Sequence, residues 1–194
     1  LNEVRHAMDV AMKHNKDIVL MQCNTNYTAS LENFKYINLN VLKAYKKMYP
    51  NIILGLSDHT PGHATVLGAV ALGAKVIEKH FTDNTKRLGP DHTFSMDPKT
   101  WLDMVDRTKE LEVSLGAKIK KIEKNEKDTV VLQRRAIRAV KDLQSGLILE
   151  RKDIEVLRPC PEDAISASDI KNILGKFLIN DIPFGGYIRW SDLK

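Results

Sequence analysis

The chain has 194 residues, of which 43% are hydrophobic, and a net charge of +5, which suits one large domain or two small ones with a sizeable core. No run is long and apolar enough to span a membrane. The positive charge gathers in Lys118 to Lys127 and Gln133 to Lys141, but Glu123 and Glu126 interrupt the first stretch. No aromatic residues alternate with the charges as stacking platforms would require, so nucleic acid is not an expected partner.

The opening segment LNEVRHAMDVAMKH spaces Val4, Met8, Ala11 and Met12 as one face of a helix. It lacks the apolar region of a signal peptide, and Cys23 and Cys160 stand far apart. Thiols so placed read as reduced, and a cytoplasmic setting is expected. The segment also lacks an initiator Met, so a fragment or processed product is expected.

DIVLMQC is a continuous apolar run, the pattern of a parallel strand buried on both faces. The polar stretch NTNYTAS follows, and Ser30 is placed to N-cap a helix over residues 31–49. Pro50 and Asn51 end that helix. IILGLS reads as a second buried strand, TVLGAVALG as a short helix stopped near Gly73, and KVIEKHF as a third strand. A polar loop, TDNTKRLGPDHTFSMDP, then leads into an amphipathic helix with Trp101, Met104, Val105, Thr108 and Leu111 on one side.

The second and third strands run into His59 and His80 with a helix between them. A right-handed crossover makes such strands parallel, with their C-terminal ends at one edge. If adjacent, they lie roughly 4.8 Å apart, close enough for two imidazoles to meet one ion. Imidazole suits Mn, Co, Fe or Zn better than Ca or Mg. Glu78 precedes His80 by two residues and so shares its side of the strand. The plainer alternatives are hydrogen-bonded strand-end histidines and a Glu78 ion pair with a lysine.

Strands alternating with helices indicate an α/β architecture, either part of a (β/α)8 TIM barrel or part of a doubly wound sheet. The expected division is residues 1–116 for the α/β domain, 117–129 for a charged linker and 130–194 for a small, mostly-β domain. In the last segment, Gly, Pro, Asp and Ser punctuate short apolar runs.

Taken together, GLSDHT, GAVALGAKVIEKHFT and GPDHTFSMDP, followed by QRR and LRP, resemble the sialic acid synthase family. The resemblance covers essentially the whole chain, in order. It implies the C-terminal part of a TIM-barrel synthase domain followed by a SAF (antifreeze-like) domain, in a fragment expected to be inactive alone. QCNTNYTAS and RPCP resemble synthases of legionaminic-type sugars. The implied reaction condenses phosphoenolpyruvate with an open-chain N-acyl-mannosamine-type sugar, releasing phosphate. The implied cofactor is a divalent metal, Mn above Mg or Co, and the implied assembly is a domain-swapped homodimer.

By the same resemblance, His59 and His80 are metal ligands. Glu78 binds sugar hydroxyls or shuttles a proton. Ser57 contacts the phosphate of phosphoenolpyruvate, Thr25 lies near that substrate, and Tyr27 and Asp91 contact the sugar. Asn24 and Asn26 leave the register around Thr25 open by one residue. Arg158 reaches the N-acyl group from the other protomer, although RPCP replaces the family's RPG and alters the loop after it. The plainer readings are ordinary polar loop residues for Ser57, Thr25 and Tyr27, a surface arginine for Arg158, and a turn after Pro90 for Asp91.

Two other functions fit the sequence. One is a Schiff-base lysine aldolase using Lys75 or Lys79. However, Lys79 alternates away from Glu78 and His80, and Lys75 stands at the strand start. The other is a non-catalytic sugar-binding or dimerisation module.

Overall fold

The computed structural model describes residues 1–194, which form two compact units, Leu1–Lys118 and Ile119–Lys194. In the first unit, β1 (Val19–Cys23), β2 (Ile53–Asp58) and β3 (Val76–Lys79) make a parallel sheet in that order. Helices α1 (Asn2–His14), α2 (Val41–Met48), α3 (Ala64–Ala71) and α4 (Pro98–Leu115) accompany it.

The register assigns each strand residue to a face. Leu20 and Leu54, then Gln22, Leu56 and Ile77, then Asp58 and Lys79, are cross-strand partners on one face. Leu42 and Tyr45 of α2 and Ala69 of α3 pack there with Leu54, Leu56, Ile37 and Ala74. A second cluster joins Val66 and Val70 of α3 to Met96 and Met104. Asp97 starts α4 through a capping box with Thr100, and Pro98 occupies the first turn, where its missing N–H has no helical partner to lose.

The opposite face carries Val19 and Ile53, then Met21, Gly55 and Val76, then Cys23, Ser57 and Glu78. Val19, Ile53 and Val76 are 39%, 47% and 37% exposed. β1 is therefore not buried on both faces, as its apolar run suggested, because helices cover only one side of the sheet. Gly55 is dictated by close packing on the open face. A Cβ there would lie 2.9 Å from both Met21 Cγ and the Val76 carbonyl oxygen.

The helix expected over residues 31–49 is also divided. Ser30 caps a 3-10 turn, Leu31–Tyr36, by accepting from the Glu32 amide, and α2 starts only at Val41. Asn38 lies between them at φ 51°, in the left-handed region that asparagine tolerates and a continuous helix excludes.

In the second unit, β4 (Ala136–Ala139) and β5 (Ile154–Leu157) pair antiparallel. Single bridges such as Ile148–Phe177 and Leu178–Leu193 tie in the remaining segments. Ile137, Leu143, Leu149, Ile165, Leu178 and Ile188 fill its core, with a four-residue helix α6 (Ile170–Ile173) supplying Ile173. The regular strands are few, and 3-10 turns carry much of the rest. Helix α5 (Lys127–Gln133) runs across the expected junction at residue 130. A preceding 3-10 turn leads into it, with the Glu123 amide donating to Glu126 Oε2 at 2.8 Å.

Candidate active site

The ends of β2 and β3 bring His59 and His80 together, with ring centroids 5.1 Å apart and planes at 63°. His59 is 3% exposed. Its Nδ1 lies 2.8 Å from the Asn24 carbonyl oxygen. A carbonyl only accepts, so Nδ1 carries a proton, and in the neutral ring the lone pair is then on Nε2. His80 Nδ1 faces Asp91 Oδ2 at 3.6 Å.

Tyr27 comes from the segment after β1 and lies edge-on to both imidazoles, with centroids 4.3 Å from His59 and 5.5 Å from His80. Phe94 is buried and packs against His80 at 5.0 Å and His59 at 6.0 Å. Its loop returns along the strand end, where the Met96 amide donates to the His80 carbonyl and the Thr82 amide to the Met96 carbonyl, each at 2.9 Å. That return also brings Asp91 to His80. Ser95 Oγ donates to the Asp91 carbonyl at 2.6 Å, and Thr82 Oγ1 meets His92 Nδ1 at 2.7 Å.

On the open face of the sheet, Ser57 Oγ donates to Glu78 Oε1 at 2.7 Å. Glu78 is exposed rather than enclosed in a buried strand, and its carboxylate partner is this hydroxyl rather than a lysine. Lys79 turns to the helix side, where its ammonium contacts Asp58 Oδ2 and the Thr60 carbonyl oxygen. An amine so held and buried is not presented as an imine-forming nucleophile.

His59, His80, Tyr27 and Asp91 thus form one group. Ser57 and Glu78 form a pair on the adjoining strand ends. Thr25 is exposed and has no side-chain hydrogen bond to the group. Arg158 belongs to the second unit, where its Nε donates to the Gln133 carbonyl at 2.8 Å.

The donor chemistry fits a divalent ion of borderline softness. His59 directs Nδ1 at an oxygen acceptor within hydrogen-bond distance, the arrangement that orients metal-bound imidazoles, whereas the His80–Asp91 approach of 3.6 Å is longer than a hydrogen bond. No group of three or more His, Cys, Asp and Glu residues assembles a closed metal cage. Two imidazoles alone would leave several coordination positions for substrate oxygen and water.

The sequence reading missed three parts of this site. The Asn24 carbonyl is a backbone group, which side-chain identity does not reveal. Phe94 stands alone in a polar loop, with no periodicity to mark it as a packing residue. Asp58 had a signal in its place beside His59, but its partners Thr65 and Lys79 are separated from it by 7 and 21 residues.

Residues 1–120 match the NeuB family model, and residues 134–194 match the SAF domain model. An uncharacterized protein of Methanocaldococcus jannaschii is 36% identical over 92% of this chain and 51% of its own length. The N,N'-diacetyllegionaminic acid synthase of Legionella pneumophila is 34% identical over 100% of this chain and 54% of its own. The chain therefore spans about half the length of these curated relatives. Among solved structures, the spore coat polysaccharide biosynthesis protein SpsE of Bacillus subtilis aligns with a TM-score of 0.53 and 28% identity, over 100% of this chain and 58% of that one. By the family match over most of its length, with a SAF domain after it, this chain belongs to the NeuB family.

Proposed function

We propose that the chain carries the His59–His80 side of a nonulosonic acid synthase, which condenses phosphoenolpyruvate with an N-acyl-mannosamine-type sugar. The sugar favoured is of the legionaminic type, in line with the similarity to the Legionella enzyme. One observation carries the reading: two strand-end imidazoles stand 5.1 Å apart, and His59 is anchored through Nδ1 on the Asn24 carbonyl, which leaves Nε2 as the ring nitrogen to meet an ion.

The three βα units are read as successive units of a (β/α)8 barrel, with the open sheet face as barrel interior and the strand C-termini as the active face. His59 and His80 would hold a divalent ion, Mn in the first instance. Bound there, such an ion supplies Lewis-acid polarisation of the sugar aldehyde. In the reaction, carbon 3 of phosphoenolpyruvate bonds to the aldehyde carbon, whose oxygen takes a proton to become a hydroxyl. Water adds to the resulting oxocarbenium carbon and loses a proton. That carbon's bond to the phosphate oxygen then breaks, leaving a ketone and inorganic phosphate.

Glu78 is the candidate to accept a hydrogen bond from a sugar hydroxyl or a proton from the attacking water. Ser57 orients its carboxylate. Tyr27 and Asp91 flank the histidines where the sugar chain would lie. Arg158 is assigned to the N-acyl group, contributed by the second protomer of a homodimer.

The experiment is a Mn2+ titration with phosphate release as readout, in a complete barrel carrying these residues, with borohydride trapping in parallel. A synthase requires the ion and releases phosphate from phosphoenolpyruvate only when the sugar is present. Covalent trapping by borohydride would establish the lysine aldolase instead. Sugar binding without either would establish a binding module.

A further inference from the structure

Asp58 and Lys79 are the last residues of β2 and β3 and are direct cross-strand partners. Each immediately precedes one of the two histidines. Their side chains are 0% and 1% exposed, on the sheet face turned to the helices. Asp58 Oδ2 accepts from Lys79 Nζ and from Thr65 Oγ1, both at 2.5 Å. Asp58 Oδ1 accepts from the Thr60 amide at 3.1 Å and the Thr60 hydroxyl at 2.8 Å. Lys79 Nζ also donates to the Thr60 carbonyl at 2.6 Å.

The bond from the Thr60 amide to the Asp58 carboxylate closes a local turn with His59 at its centre. The Lys79 ammonium grips the residue on each side of His59, while its own backbone continues into His80. A buried ion pair is a poor source of stability, because desolvation offsets its attraction and an apolar pair serves packing as well. What a buried, fully bonded pair supplies here is geometry. We infer that Asp58 and Lys79 are positioning residues, which set the turn at His59 and its separation from His80.

This inference rests on the metal reading of the histidines, so its test includes a readout that needs no metal. Multiple-bond proton–nitrogen NMR of the chain reports the His59 tautomer, and Mn2+ binding is followed by electron paramagnetic resonance. The informative variant is Asp58→Asn with Lys79→Met. It removes both charges together and keeps a side chain that closes the Thr60 turn. The expected result is a cooperative melt near that of the parent chain, loss of the single Nδ1–H tautomer at His59, and Mn2+ affinity lower by about tenfold to a hundredfold.

A double variant that keeps both the tautomer and the affinity overturns the inference and makes the pair a packing feature. Should the double variant not fold, Thr65→Val removes one donor to Asp58 at constant volume. An affinity loss of about threefold is then expected, and no change overturns the inference. If His59→Ala leaves Mn2+ affinity untouched, the metal reading fails, and the tautomer alone decides the role of the pair. If affinity depends on His59 but not on residues 58 and 79, only the positioning role fails.

Discussion

Ser57 and Glu78 are directly opposed on β2 and β3, and a 2.7 Å hydrogen bond joins the serine hydroxyl to the glutamate carboxylate. The bond holds an exposed carboxylate in one orientation on the sheet face that also leads to His59 and His80. Glu78 contacts the reacting molecules in the proposed chemistry, whereas Ser57 first orients Glu78.

Substitution should separate those roles. Glu78→Gln is expected to lower kcat by about a hundredfold or more, the usual scale for a group that moves a proton. Ser57→Ala is expected to lower kcat/KM about tenfold, the loss of one hydrogen bond to a charged group. Steady-state phosphate release measures both. Equal, small effects would remove Glu78 from the chemistry.

His59→Ala and His80→Ala should each abolish Mn2+-dependent turnover in a complete barrel. His80 is the cleaner test of folding, being partly exposed, whereas His59 is buried and holds the Asn24 carbonyl. Circular dichroism and Mn2+ binding on the same samples distinguish lost fold from lost ligand. Wild-type turnover and Mn2+ affinity in either variant would defeat the ligand assignment.

Residues 1–194 by themselves should release no phosphate from phosphoenolpyruvate and sugar. The two histidines belong to no group of three or more His, Cys, Asp or Glu residues able to hold an ion, and one sheet face is open, with Val19, Ile53 and Val76 exposed. Turnover by the isolated chain, measured with Mn2+ present, would refute the view that further strands are needed.

Arg158→Ala is expected to raise the KM for the sugar far more than that for phosphoenolpyruvate. A guanidinium presents a rigid fork of donors suited to an acyl oxygen. Losing one charge-assisted bond corresponds to roughly tenfold to a hundredfold in kcat/KM. A mixed dimer gives the sharper measurement. Arg158→Ala subunits combined with His59→Ala subunits should regain activity, because one barrel then has both its histidines and its partner's arginine. No recovery despite demonstrated subunit exchange would rule out a shared site.

The second unit has its own acid-sensitive contact. The Asp153 side chain is 2% exposed, with Lys141 Nζ 2.8 Å from Oδ1 and the Glu150 amide donating to Oδ2 at 3.1 Å. The Lys141 ammonium, helped by that amide, holds its carboxyl below the usual range against the opposing effect of burial. A depressed folded-state pKa contributes stability that is present above the unfolded value of about 3.9 and lost as pH falls through the folded value. Asp153→Asn should therefore destabilise the unit at pH 7, by roughly 1–3 kcal/mol, and match the parent once both are well below the folded value. Urea melts at neutral and acidic pH test this, and equal midpoints at pH 7 would dismiss the contact.

What the sequence by itself determined is what short-range periodicity encodes. Apolar runs bounded by Gly, Pro and Asn marked all three strands of the first unit, since backbone pairing and burial demand them. The strand period of two put Glu78 on the side of His80 and turned Lys79 towards the helices. The order strand, helix, strand, with a histidine after each strand, let His59 and His80 meet on condition that the strands are neighbours, and the register of β2 with β3 makes them so.

Tertiary structure decided what depends on partners distant in the chain. Tyr27 reaches the histidines only because β1 lies beside β2. The tautomer of His59 depends on a backbone carbonyl 35 residues away. Asp58 and Lys79 find each other because parallel register pairs them. The helix expected over residues 31–49 divides at Asn38, because that residue adopts a left-handed conformation on the way into the core at Leu42. The apolar run of β1 could not report which of its faces would be covered. Hydrophobicity drives burial without direction, so the side that receives helices is decided by the connections between strands and not by the strand itself.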